Sequence, residues 1–498
     1  MPYDSSIVDY IIVGSGAAGS VLAHRLSQTP DCSVLVLEAG GADHDESLRV
    51  PADFLAVGSD PRYTKQFATE PFGDGQVEQW SVGRITGGST TVNGMIWNRG
   101  GAGDYDAWAA AGWGWARFLE AFRMIEGSSG DGRQRIGLAG RDPASDLWLD
   151  TLARREITPV RDLNGSGGER AAYAPLTIAD GHRVSAADAY LHDAVKRPNV
   201  QLRLRCDVRL VVFDGTTATG VEAVTPDGEV RFSARREVII CAGTLGSPLL
   251  LERSGVGDPQ VLQAAGVPVV AENRAVGGNL RQHRGISLIT KLSNLPAAGA
   301  PFGTTTVVSV LKSDPGAAGP DTEVIFHPFG GPDADGGIAG AAVGYYPRTP
   351  TSTGSIHITG PGLDDVPRLV PNYLSTDQDR QVLVAGFARV RAIMATDPIA
   401  SVMTDAAPVP AAGDEAAIVR HSLEHGFVAN HQIGTCALGP AGVVTDDLRV
   451  RGTDGLRVAD ASVMPTLPSG NTAAPSMAIG WIAGDLVSKA CMERAPYA

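Results

Sequence analysis

Residues 8–41, VDYIIVGSGAAGSVLAHRLSQTPDCSVLVLEAGG, decide the fold at the start of the chain. A run rich in β-branched residues ends at Val13, an Ala/Leu-rich stretch follows the glycines, and a second apolar run closes on Glu38. Strand, helix and strand in that order make one βαβ unit, whose strands lie parallel because a helical crossover separates them. Gly14, Gly16 and Gly19 spell G-x-G-x-x-G at the first strand-to-helix turn. Gly14 permits the tight turn, Gly16 lets the backbone approach a pyrophosphate, and Gly19 lets the helix pack on the strand. Ala17 and Ala18 follow at the start of the helix, where unpaired N–H groups favour an anion. Glu38, with Ala39 after it, places a carboxylate where it accepts hydrogen bonds from both ribose hydroxyls of a dinucleotide. A glycine-rich turn without a ligand is the competing reading, weakened by strand, helix and acid all being in place. The motif alone does not separate FAD from NAD.

The remaining composition bounds the class. A chain of 498 residues exceeds one ordinary core, so several domains or one elaborated domain are expected. Hydrophobic residues at 43% and charged residues at 19% mark a globular protein rather than a disordered one. Acidic residues outnumber basic ones by 55 to 41, and the resulting field repels phosphate backbones and anionic lipid, which argues against a nucleic-acid partner. Cys32, Cys206, Cys241, Cys436 and Cys491 are odd in number and form no C-x-x-C pair, so neither a zinc site nor a disulfide framework is indicated. Residues 1–8 lack a basic leader, and no stretch approaches the roughly 18 apolar residues that cross a bilayer. A cytoplasmic protein without a membrane partner is expected.

Farther along, residues 199–243 show alternating or continuous strand patterns broken by Asp-Gly turns and read as a β-meander feeding a final buried strand, Val238 to Cys241. Between Gly285 and Arg368, short strands sit among loops such as SDPGAAGPD (313–321) and GGPDADGGIAG (330–340), which predicts a second, mostly antiparallel lobe. A helix is predicted over Asp377–Met394 and a helix rich in small residues over the tail from Asn471 to Met492.

Further blocks separate the cofactor alternatives. They are GRITGGSTTVNGMIWNRG (83–100) with DYDAWAAAGWGW (104–115), AGTLGSPLLLERSGVG (242–257), VGGNLRQH (276–283), and NHQIGTCALG (430–439) with LRVADASVMPTLPSGNTAAPSMAIG (456–480). In this order, and together with the N-terminal fingerprint, they resemble the signature blocks of the glucose-methanol-choline (GMC) oxidoreductases over nearly the whole chain. The resemblance implies an α/β, two-lobed fold: a Rossmann-like FAD-binding domain with a parallel sheet, and a substrate lobe built on an antiparallel sheet. It implies FAD-binding segments at 1–155, 195–290 and 426–498, and substrate-binding segments at 156–194 and 291–425. It further implies FAD as cofactor and alcohol oxidation as activity.

Gly87 and Gly88, followed by Ser89, Thr90 and Thr91, make a loop of small side chains and free N–H groups suited to a flat ring or a phosphate. A plain Gly/Ser turn is the other reading of that loop. The resemblance extends the FAD contacts to Asn93, Gly94 and Met95, to Val208, to Ala242 and Gly243, to Asp460 and Ala461, and to Asn471 and Thr472. Some family members bond a histidine near the Gly87 loop covalently to the flavin; residues 83–95 contain none, so FAD is expected to be non-covalent.

His431 and Asn471 match the positions of the family's catalytic pair. Taking a hydride from an alcohol carbon needs a base for the hydroxyl proton, and an imidazole suits that role. A carboxamide is always neutral and donates an N–H to the developing alkoxide. Without the surrounding block, a histidine in a glycine loop reads more readily as a packing residue. Gln282 stands where the family usually has an acid before its histidine, which leaves structural and functional readings of His283 equally open.

The residue before the base is Asn430, and Trp97, Phe326, His327, Phe329, Tyr345 and Tyr346 are candidate pocket walls or, equally, lobe core. Aromatic walls favour a primary aromatic or heteroaromatic alcohol over a sugar or polyol. A quaternary ammonium substrate wants a carboxylate beside its cage, and Glu323 is the nearest acid. His421 and His425 lack the H-E-x-x-H pattern, and no metal is assigned. The rival readings are a hydroxynitrile lyase on the same flavin fold and an NAD-dependent dehydrogenase built on the N-terminal fingerprint alone. The electron acceptor, dioxygen or another, and the oligomeric state are not fixed by the sequence.

Overall fold

The structure is a computed structural model that describes residues 3–109, 112–127, 132–165, 167–293, 295, 303–330 and 338–493. The opening apolar run forms β1 (Tyr3–Val13), α1 (Ala17–Leu26) carries the chain over, and β2 (Val34–Leu37) returns parallel to β1 in the register Tyr10 to Val34. Ile11, Ile12, Val34 and Val36 are fully buried, which is what a continuous β-branched run demands of a strand covered on both faces. Four later strands join them: β3 (Val200–Arg203), β4 (Asp207–Asp214), β5 (Thr217–Thr225) and β6 (Gly228–Ile240). The sheet has seven strands in the order β3-β2-β1-β6-β5-β4, with the short strand Leu456–Val458 paired to β6.

The final buried strand predicted at Val238–Cys241 is the end of β6, which runs unbroken from Gly228 to Ile240. No glycine or proline interrupts residues 229–240, so nothing in the sequence forces a turn there. The first half of β6 pairs antiparallel with β5; its buried end, Val238–Ile240, lies parallel to Leu456–Val458 and to the end of β1. Cys241 then follows against the Gly14 turn, donating its N–H to Val13 O at 2.7 Å, and α2 (Gly243–Arg253) begins two residues later.

The second sheet has eight strands and is antiparallel apart from one short pair. Its centre is formed by β7 (Arg284–Leu292), β8 (Val307–Leu311), β9 (Thr322–Gly330) and β10 (Ile338–Pro347), ordered β7-β10-β9-β8. Of the loop at 330–340, residues 331–337 lie outside the described residues. One face packs on α3 (Asp377–Met394) and on the helix Pro143–Arg154: Trp148 stacks on Phe326 with ring centroids 5.0 Å apart, and Tyr345 donates to Leu383 O at 3.0 Å. On the opposite face Val308, Val310 and Ile325 pack against Met95 and Ile96. That face also carries Glu323 and Tyr346, which are register partners across β9 and β10.

The tail forms α4 (Ala473–Glu493), which crosses α1 at close range. A Cβ at Gly480 would sit 2.4 Å from Ala18 O, so only glycine lets the two helices meet there. Among the described residues no helix is long and apolar enough to cross a membrane.

Candidate active site

The turn after β1 and the Gly87 loop press together. A Cβ at Gly14 would lie 2.4 Å from Cys241 O, one at Gly19 would lie 2.1 Å from Gly14 O, and one at Gly88 would lie 2.8 Å from Gly16 Cα. Such distances exclude any side chain, so the surface offered here is bare backbone. Glu38, at the end of β2, accepts from Ser15 N at 3.0 Å, Ser15 Oγ at 2.6 Å and Gly40 N at 2.8 Å. Burial pushes its carboxyl pKa up while those donors pull it down. A carboxylate has about four acceptor positions, so these three bonds leave acceptor capacity on Glu38 for a hydroxyl donor. An open cavity of about 640 Å³ lies beside it, bordered by Ala39, Gly40, Arg84, Arg205 and Asp207. Val208, on β4, is buried.

In the Gly87 loop the hydroxyls turn inward. Thr90 donates to Gly87 O at 2.6 Å, Thr91 donates to Thr86 O at 2.7 Å, and Ser89 Oγ accepts from Gly83 N at 3.0 Å. Asn93 likewise holds the chain, accepting from Met95 N at 3.0 Å and from Arg183 at 2.9 Å, and Gly94 follows it. Asp460 ties the C-terminal block to α2: its carboxylate accepts from Gly243 N at 2.9 Å, Ser247 Oγ at 2.6 Å and Ser462 N at 2.8 Å. Ala242, Gly243, Asp460 and Ala461 are thereby gathered around one junction. Gly14, Gly19 and Gly88 are thus packed backbone to backbone, with the buried acid Glu38 at the end of the neighbouring strand.

His431 and Asn471 are far apart in sequence and meet in space, with Asn471 Nδ2 lying 3.0 Å from His431 Nε2. Two features of the backbone bring them together. The loop of His431 is zipped to the segment of His283 by paired Arg281 and Ile433 hydrogen bonds of 3.1 Å, and Gly434 takes φ +98° under Asn279. Gln282 Oε1 accepts the N–H of His283 at 2.9 Å and of His431 at 2.7 Å. Asn471 and Thr472 stand immediately before α4.

The hydrogens of this cluster follow from one carbonyl. His283 Nε2 lies 2.7 Å from Arg348 O, which only accepts, so Nε2 carries a hydrogen. Burial and the neighbouring His431 push the His283 pKa well down, which keeps the ring neutral and leaves Nδ1 as a lone pair. His431 Nδ1, 2.9 Å away, is then the donor. Burial also pushes the His431 pKa down to about 3, so its Nε2 is bare. Asn471 must present its NH₂ to that lone pair, and its Oδ1 is buried without a partner among the described residues.

Around this pair stand rings. Tyr346 stacks on His283 at 4.5 Å, and its centroid is 6.0 Å from His431 and 6.2 Å from Phe427. Its hydroxyl donates to Glu323 Oε1 at 2.5 Å, and Asn98 donates to Oε2 at 3.0 Å. Glu323 is fully buried, and desolvation pushes its pKa up. Asn430 is exposed beside His431 in a left-handed conformation, φ +57°.

Other predicted wall residues lie elsewhere. Phe326 and Tyr345 are on the core face, as the alternative reading of them had it. Trp97 is buried and donates to Glu126 at 2.7 Å. Phe329 stacks with His327, whose ring also meets Phe54, as a separate group. His421 and His425 pack edge to face at 5.2 Å on one helix. Cys32, Cys206, Cys241 and Cys436 are free and buried. The sequence reading missed Gln282 as a clamp, the Arg348 carbonyl, the Tyr346–Glu323 bond and Phe427. The strand alternation of 322–330 and 338–347 contained the Tyr346–Glu323 pairing, but only their register reveals it; a backbone carbonyl leaves no mark in a sequence.

Comparison with known proteins covers most of the chain. The family profiles described as GMC oxidoreductase match residues 8–284 and 350–480. The chain is 32% identical to the mitochondrial choline dehydrogenase of Homo sapiens, over 96% of this chain and 89% of that protein. It is 31% identical to an alcohol dehydrogenase [acceptor] of Pseudomonas putida, over 96% and 95% respectively. Among solved structures, the pyridoxine 4-oxidase from Mesorbium loti superposes with a TM-score of 0.91 at 29% identity, covering 97% of this chain and 99% of that one.

Proposed function

The chain belongs to the GMC oxidoreductases, FAD enzymes that act on CH–OH groups, and from that premise we propose that it oxidises a primary aromatic or heteroaromatic alcohol to the aldehyde. FAD, when bound, supplies the acceptor for the hydride of the carbinol carbon. Gly14, Gly16, Gly19 and Glu38 would hold its dinucleotide part, and the Gly87–Gly88 loop its ring; the side-chain-free backbone of that turn and the buried carboxylate of Glu38 suit that group. With no histidine at 83–95, FAD is held without a covalent bond, so acid precipitation releases it into the supernatant.

The alcohol hydroxyl displaces the direct Asn471–His431 hydrogen bond and sits against both groups. Its hydrogen bonds to the bare Nε2 of His431, and its oxygen accepts the amide N–H of Asn471. As the carbonyl forms, the O–H bond breaks, the proton passes to Nε2, and the imidazole becomes imidazolium. A protonated carbonyl is a far stronger acid than imidazolium, so even a weakly basic, desolvated ring takes the proton. Asn471 orients the hydroxyl oxygen through a donor already in position and keeps its hydrogen bond to the carbonyl oxygen once the proton has left. The observation that carries this reading is the 3.0 Å approach of Asn471 Nδ2 to an imidazole nitrogen whose lone pair is fixed by its neighbours.

Support for an aromatic substrate comes from Tyr346, whose ring lies 6.0 Å from His431 and 6.2 Å from Phe427, and from the likeness to a pyridoxine 4-oxidase. A quaternary ammonium is less favoured: Glu323 is fully buried, and both its oxygens are engaged by Tyr346 and Asn98. Mixing the holoenzyme anaerobically with benzyl-type, pyridine, sugar and choline alcohols tests the proposal. Bleaching of the flavin is expected to be fastest with the first two classes. A flavin that stays oxidised with every alcohol, while a cyanohydrin is cleaved, would give the lyase reading instead.

A further inference from the structure

His283 lies outside the pair that handles the alcohol, yet it is the only described side chain that bonds His431 Nδ1. It is fully buried, and its own far nitrogen is committed to Arg348 O. Tyr346 fixes its ring plane from one side at 20° and 4.5 Å, and the Tyr346 hydroxyl is in turn anchored on Glu323. Gln282 fixes both backbones. The arrangement therefore holds one imidazole in a single tautomer and a single orientation, aimed at one nitrogen of another.

We propose that His283 is the positioning residue of the reaction: by accepting the Nδ1 hydrogen of His431, it keeps the lone pair of the base on Nε2, the nitrogen that faces Asn471. This rests on the assignment of His431 as base. The direction of the chain is fixed from its far end. Arg348 O accepts, so His283 Nε2 donates; His283 Nδ1 accepts, so His431 Nδ1 donates. Without His283 an isolated neutral imidazole divides between its two tautomers, and the one with hydrogen on Nε2 has no lone pair for the alcohol. When His431 takes the substrate proton, the Nδ1–H···Nδ1 bond becomes charge-assisted, so the same contact strengthens as the reaction proceeds. The proton stays on Nε2, and no other bond is made or broken.

Two substitutions separate this role from simple packing. In His283→Asn the short amide places an acceptor oxygen close to the former Nδ1, whereas His283→Leu removes the acceptor and keeps apolar bulk. The readouts are anaerobic flavin reduction with the best alcohol and ¹⁵N-histidine NMR of the holoenzyme, with His431 assigned from the spectrum of His431→Asn. Expected are a His431 ring protonated at Nδ1 in the wild type, a loss in reduction rate of about 100-fold or more in His283→Leu at unchanged substrate affinity, and recovery to within about tenfold in His283→Asn. Equal losses in the two variants, or a wild-type rate in His283→Leu, would overturn it. So would a wild-type spectrum with hydrogen on Nε2, a result that stands even where His283→Leu fails to fold. Failure of the base assignment looks different: His431→Ala would then reduce its flavin at the wild-type rate.

Discussion

Gln282 holds His431 by its main chain, its side-chain oxygen accepting the His431 N–H at 2.7 Å while the same atom takes the His283 N–H at 2.9 Å. One buried amide oxygen thus sets the spacing of two imidazoles that belong to different segments. Its Nε2 has no partner among the described residues.

Replacing that oxygen is expected to be costly. Gln282→Leu leaves two buried N–H groups unpaired, at about 1–3 kcal/mol each, and should lower stability by about 2–6 kcal/mol in a denaturant titration of the holoenzyme. Gln282→Glu keeps both bonds and should retain FAD and most activity. A carboxylate there favours the imidazolium form of its neighbours, so any acid limb in the rate of Gln282→Glu moves to higher pH than in the wild type.

The pH profile follows from the burial of His431. Desolvation pushes its pKa down to about 3, below the ordinary value near 6.5, and the reactive form is the neutral one. Lowering the pKa shifts the loss of that form to lower pH. Stopped-flow reduction under anaerobic conditions should therefore be flat from pH 8 to about pH 5. A tenfold fall per pH unit that sets in near 6.5 would show an imidazole titrating as in water.

Gly88→Ala tests the Gly87–Gly88 loop. Its φ is +55°, and the added Cβ would lie 2.8 Å from Gly16 Cα, so either the loop or the Gly16 turn must move. The variant should purify with much less than one FAD per chain, read from its absorbance at the flavin maximum. Gly75→Ala is the control, because its φ, +103°, is also positive but nothing lies within 4 Å of the added atom. A yellow, fully loaded Gly88→Ala protein would remove this loop from the cofactor site.

Much of the fold was legible because the pattern is local. The β1–α1–β2 unit is written in one continuous run, and the tail helix in one small-residue stretch. The boundary of β6 was not, because whether an alternating segment and a buried segment form one strand depends on partners that come from β1, β5 and Leu456–Val458. The candidate site divides the same way. His431 and Asn471 carry their chemistry in their side chains and sit in recognisable blocks. Gln282, whose departure from the usual acid left its role open, is explained only when two N–H groups are seen converging on it. Phe326 and Tyr346 are both aromatic residues of neighbouring strands, and alternation sends one to the core and the other to His431; register, absent from a single sequence, decides which.

The most direct test of the account is single-turnover reduction of His431→Ala and Asn471→Ala holoenzymes by the best alcohol in the absence of air. The account predicts that both bind FAD as the wild type does, that His431→Ala reduces its flavin slower by about 10²–10⁴-fold, and that Asn471→Ala loses about 10²–10³-fold. Flavin reduction at the wild-type rate in His431→Ala would contradict it.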